Sequence, residues 1–99
     1  MEISVREAKK ELGKVVFLDV REPFEWEINR IEGALHIPLR QLPAHVEELR
    51  GKKVIVYCHH GNRSLYATMF LRNAGIDAVS MAGGIDEWAI KVDGKMERY

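Results

Sequence analysis

Apolar positions along the chain alternate between two periods. Val15-Val16-Phe17-Leu18, Ala34-Leu35-His36-Ile37, Val54-Ile55-Val56-Tyr57 and Ala78-Val79-Ser80-Met81 are short runs rich in β-branched and aromatic residues, and they read as strands. The first and third carry no charged residue, as strands covered on both faces tend to do. Between the runs the spacing becomes helical. Ser4 followed by Glu7 is a capping-box pattern and Gly13 a natural stop, which predicts a helix from Ser4 to Leu12. Pro23 suits the first turn of a short helix through Ile28. Pro38 ends the second strand, and Leu39 to Leu49 reads as a helix with Pro43 early in it and Gly51 closing it. Ser64 to Ala74 gives the clearest helical signal, with Ala67, Phe70, Leu71 and Ala74 on one face and Gly75 as a left-handed cap. Gly83-Gly84 predicts a tight turn and Ile85 to Ile90 a last helix. The charged stretch from Val92 to Tyr99 predicts no element. Strands alternating with helices in this way predict an α/β fold, a mainly parallel sheet with helices on both faces.

Composition adds bounds rather than direction. The 99 residues suffice for one domain with a single core. Lys plus Arg and Asp plus Glu are balanced at 15 each, so no whole-chain field recruits nucleic acid or an anionic membrane. One cysteine excludes an internal disulfide and a multi-cysteine zinc site. The first residues lack the apolar core of a signal peptide, and no stretch is long and apolar enough to span a bilayer. The expected setting is the cytoplasm.

The candidate chemistry lies at Cys58, where the third apolar run stops and Cys58-His59-His60-Gly61-Asn62-Arg63-Ser64 leads into the long helix. A thiol there stands at the carboxyl end of a strand and faces a helix amino terminus. Open α/β sheets bind ligands at that edge. The nucleophile is the thiolate, which needs groups that favour negative charge. Backbone N–H groups of residues 59 to 64 can curl into an anion-holding nest. The following helix adds its positive end. Arg63 supplies a planar cation suited to oxyanions, and Gly61 lets the backbone turn. The bland alternative is a small buried core cysteine, but a core residue has no use for an anion cradle.

The same loop resembles the active-site loop of the rhodanese family: a cysteine, two variable residues, glycine, a variable residue, arginine and a small hydroxyl residue. Leu18-Asp19-Val20-Arg21-Glu22, Glu32-Gly33-Ala34-Leu35-His36-Ile37-Pro38 and Gly83-Gly84-Ile85-Asp86-Glu87-Trp88 resemble three further motifs of that family, in order, over Val15 to Ile90. The resemblance implies a three-layer domain over residues 1–99 with a five-stranded, mainly parallel sheet. It implies a sulfurtransferase in which Cys58 takes a sulfane sulfur from thiosulfate or a persulfide and passes it to cyanide, a thiol or a partner protein. His59, His60, Gly61, Asn62, Arg63 and Ser64 would hold the anionic donor, and neither a metal nor an organic cofactor is implied. A non-catalytic interaction module and a persulfide carrier for a dedicated pathway are the alternatives. Related phosphatases and arsenate reductases place five residues between cysteine and arginine. Here there are four, residues 59 to 62. The shorter loop suits a sulfur atom rather than a tetrahedral phosphoryl group.

Several residues keep two readings at this stage. His59 and His60 either bias the loop positively or point at solvent. Adjacent residues cannot easily aim three ligands at one tetrahedral metal, so a Cys58-His59-His60 metal site is not expected. Asn29-Arg30 replaces the family's usual glycine-histidine pair, which leaves Arg30 as added positive charge or a solvated side chain. Asp19 and Arg21 stand at the same carboxyl edge as Cys58, where a site role is open; the resemblance implies instead a charged network tying loops together, with Glu25 in the same group. Trp26 and Trp88 are either a rim beside the cysteine or core. Gly83-Gly84 would let backbone approach the cysteine loop. Ser64 either bonds the sulfur or caps the following helix.

Overall fold

A computed structural model describes residues 1–99. Strand β1 (Glu2–Ile3) precedes helix α1 (Val5–Lys10), then β2 (Val16–Asp19), α2 (Pro23–Ile28) and β3 (Leu35–His36). A helical stretch over Leu39–Leu49 leads to β4 (Lys53–Tyr57), α3 (Asn62–Asn73), β5 (Asp77–Met81) and α4 (Gly84–Lys91). The five strands form one sheet in the order β1-β5-β4-β2-β3, parallel at every pairing. Strand β4 lies at the centre, so the chain leaves it for the cysteine loop in the middle of the carboxyl edge.

Alternation along the central strands divides the core. Phe17, Ile55 and Tyr57 point to the face where Val5, Ala8, Met81, Ile85 and Trp88 pack. Leu18, Val54, Val56 and Cys58 point to the opposite face, against Leu42, Leu49, Ala67 and Leu71. Both faces are therefore dry, which is why these strands carry apolar residues at successive positions. No helix is long and apolar enough to cross a membrane.

The local signals at α1 hold: the Glu7 amide donates to Ser4 Oγ and the Ser4 amide to Glu7 Oε1, each at 3.1 Å. Three readings need correction. The Leu39–Leu49 stretch winds as a 3-10 helix rather than an α-helix, since Pro43 has no N–H to donate and its ring crowds the carbonyl four residues earlier. Helix α3 begins at Asn62, with Gly61 at its cap position at φ +112°. Ser64 is therefore inside the first turn and is not the cap. The buried face of α3 is Ser64, Ala67, Thr68 and Leu71, while Phe70 is exposed. The first three of these are small or hydroxyl-bearing, where the start of α3 packs on the cysteine loop and β5.

Candidate functional site

Cys58 follows β4 directly, and the next residues curl back over its sulfur. The Gly61 amide donates to Cys58 Sγ at 3.1 Å and the Ser64 amide at 3.3 Å. The thiol lies 3.5 Å from Ser64 Oγ, which donates to the Gly61 carbonyl and shares a 2.8 Å hydrogen bond with Ser80 Oγ behind it. Of the two readings of Ser64, contact with the sulfur is the one realised. Backbone donors aimed at one atom form a nest that accommodates negative charge on the sulfur or on an atom attached to it. Cys58 is 1% exposed, so the sulfur forms the floor of the loop rather than its rim.

The loop keeps its shape through the turn that starts α4. The Ile85 amide donates to the Cys58 carbonyl at 2.8 Å and the Asp86 amide to the His59 carbonyl at 3.1 Å. This approach is open only to glycine. A Cβ on Gly84 would lie 2.3 Å from the His59 carbonyl oxygen and 2.6 Å from that of Cys58, and Gly84 adopts φ +64°. The sequence expectation for Gly83-Gly84 is met.

Arg63 directs its fork at Glu25. Its Nη1 and Nη2 donate to Glu25 Oε1 and Oε2 at 2.7 and 2.9 Å. The sequence reading gave that fork to an incoming anion; in the structure a carboxylate already occupies it, because α2 presents the buried Glu25 beside the loop. Glu25 also accepts from the Tyr99 hydroxyl at 2.6 Å and from the Glu22 amide at 3.0 Å. Burial pushes the Glu25 carboxyl up, but donation by Arg63, Tyr99 and the Glu22 amide outweighs it and holds the group at about 2. Arg63 is raised above its ordinary value, first by its bonds to Glu25.

Behind this pair lies the expected charged network. Arg21 is fully buried, with Nη2 2.7 Å from Asp19 Oδ2. Its remaining donors reach the Asn29 carbonyl, Asn29 Oδ1 and the Tyr99 hydroxyl. Tyr99 Oη thus accepts from Arg21 and donates to Glu25, so Asp19, Arg21, Tyr99, Glu25 and Arg63 form one chain of contacts. The Tyr99 ring stacks on His59 with centroids 3.8 Å apart. Burial and then the neighbouring His60 lower the His59 pKa. His60 and Asn62 are exposed on the outer side of the loop.

Tyr99 is the residue that sequence reasoning missed. It lies in the charged tail, whose packing is carried by Asn29 Nδ2 donating to the Glu97 carbonyl at 2.6 Å and Arg98 Nε to Asp86 Oδ1 at 2.9 Å. A lone aromatic in a charged stretch was the available signal. The rim reading fails for Trp88, which is buried edge-on to Phe17 on the sheet face opposite Cys58. Trp26 is half-buried and stacks on His36, and Arg30 lies 4.8 Å over its ring. Arg30 is thus committed to a ring in α2.

Comparison with known proteins places the domain in a family. The rhodanese-like domain model matches residues 4–91. The tRNA uridine(34) hydroxylase of Cronobacter sakazakii is 40% identical over 84 residues, covering 77% of this chain. The chain spans 24% of that protein's length. Among solved structures, a rhodanese-related protein from Thermoplasma volcanium superposes with a TM-score of 0.87 at 36% identity, covering 92% of each chain. The human single-domain sulfurtransferase TSTD1 gives a TM-score of 0.82 at 28% identity, covering 91% of this chain and 96% of its own. The chain belongs to the rhodanese-like domain family.

Proposed function

We infer that the protein is a sulfurtransferase and that residues 1–99 act as one rhodanese-like domain in the cytoplasm. Cys58 is the sulfur carrier. Its thiolate forms a bond to the sulfane sulfur of thiosulfate or a persulfide, and the bond to the donor remainder breaks with its electron pair, releasing sulfite or a thiolate. The outer sulfur of the Cys58 persulfide then passes to cyanide, a thiol or a protein acceptor. The observation that carries the reading is the pair of amides, from Gly61 and Ser64, aimed at Cys58 Sγ. They can follow negative charge as it moves from the thiolate to the persulfide without rebuilding the loop. Within residues 59 to 64, the Gly61 and Ser64 amides supply this cradle. The short loop between Cys58 and Arg63 favours sulfur over phosphoryl transfer.

The test is intact-mass measurement after incubation with thiosulfate or an alkyl persulfide and removal of the donor. A gain of one sulfur atom is expected, reversed by reductant and absent in Cys58→Ala. Absence of an adduct with every sulfane donor would leave the non-catalytic module as the better reading. Appreciable hydrolysis of aryl phosphates would also count against sulfur transfer.

A further inference from the structure

Three arginines near the cysteine loop have carboxylate partners. Arg63 is held end-on by Glu25, Arg21 by Asp19, and Arg98 by Asp86. His59 is shifted toward its neutral form by burial. Glu25 is not free to swing aside: Arg63, Tyr99 and the Glu22 amide use both of its oxygens, and it is 4% exposed. An arriving donor therefore meets amide dipoles and, in Arg63, a cation whose charge Glu25 already compensates. We propose that Glu25, fixed by Tyr99, is a positioning residue that sets donor specificity by neutralising Arg63, turning the site away from the thiosulfate dianion and toward persulfide donors of low charge.

The inference rests on the sulfurtransferase reading and sharpens it. With thiosulfate, the Cys58 thiolate would bond the sulfane sulfur while the S–S bond breaks and sulfite leaves with the electron pair. The donor thus adds two negative charges to the one on the cysteine sulfur, and only dipoles and the Glu25-paired Arg63 are there to hold them. With an alkyl persulfide RS–SH, the outer sulfur and its proton transfer to Cys58 and RS⁻ leaves. No more than one negative charge approaches or departs, which suits a mouth without net charge.

The decisive variant is Glu25→Gln, which keeps the side-chain shape and leaves Arg63 uncompensated. Rates of Cys58 loading would be measured by intact mass with thiosulfate and with benzyl persulfide, at low and high salt. Water-screened attraction between one unbalanced charge and a dianion about 6 Å away corresponds to roughly a tenfold rate gain for thiosulfate, and about threefold at most for a monoanion. The gain should vanish near 1 M salt, where screening is nearly complete. A general disturbance of the loop would slow both donors alike and leave the ratio and its salt dependence unchanged, which would overturn the inference. Should Glu25→Gln fail to fold, the neutral-for-neutral double variant Glu25→Gln/Arg63→Gln decides. Its thiosulfate-to-persulfide ratio should stay within about twofold of the parent, because the mouth charge is unchanged. Selective collapse of thiosulfate use would instead make Arg63 a direct anion ligand and overturn the inference. Failure of both donors to load the unaltered protein would overturn the sulfurtransferase reading itself, a different result from an unchanged ratio.

Discussion

Replacing Gly84 by alanine probes the contact that shapes the cysteine loop. The added methyl would stand 2.3 Å from the His59 carbonyl oxygen, 2.5 Å from its carbon and 2.6 Å from the Cys58 oxygen. All three are backbone atoms, so relief requires the loop and the start of α4 to separate. That separation breaks the bonds from the Ile85 and Asp86 amides. Each of the two unpaired buried carbonyls costs about 1–3 kcal/mol, and a side chain in the left-handed region adds about 1–2 kcal/mol, so the total is about 3–8 kcal/mol. At roughly 4–8 °C per kcal/mol the melting temperature should fall by at least about 12 °C. Sulfur loading of Cys58 should fall about 100-fold, since a shift on the order of 1 Å misaligns the reacting sulfur. Gly13→Ala is the control: φ there is +83°, but a Cβ meets nothing within 4 Å. It should show only the left-handed strain, with full loading. Thermal melts and intact-mass kinetics on both variants decide the matter. A Gly84→Ala protein that melts no lower than Gly13→Ala and loads normally would refute the steric argument.

Two further outcomes follow from the buried charges. Asp19→Ala should destabilise by about 3–5 kcal/mol in urea denaturation, because it strands the fully buried Arg21 without its carboxylate; a loss below about 1 kcal/mol would mean that Asn29 and Tyr99 suffice. Glu25 titrates at about 2 in the folded protein against an ordinary 4.5, so its stabilisation is complete above about pH 4.5 and disappears as the pH falls toward 2. Urea midpoints measured across that window should decline less steeply in Glu25→Gln than in the parent protein, and identical slopes would contradict the pairing.

What could be read from the chain depended on the range of the interaction. The capping box at α1 joins residues three apart, and both partners are visible in one turn of sequence. The Gly83-Gly84 signal was equally local, since few other residues could follow that backbone path. Strand β1 escaped notice because two residues, Glu2 and Ile3, cannot display a period. They become a strand only by pairing with Ser80 and Met81. The role of Ser64 was ambiguous because α3 could start at either end of the Gly61-Ser64 segment. The left-handed Gly61 places the start early and turns Ser64 toward the sulfur and Ser80.

The alternation of strands and helices, the all-apolar central strands and the place of Cys58 at a strand end before a helix are all legible along the chain. Those features follow from neighbours along the chain, whose periodicity and turn chemistry are written locally. The partner of Arg63 is set by long-range packing. Arg63 and Glu25 are 38 positions apart, and Tyr99 lies 74 positions from Glu25 and 78 from Arg21. No local pattern links them. They meet because a parallel sheet brings the ends of β2 and β4 to one edge, where buried charges must find partners or pay for desolvation.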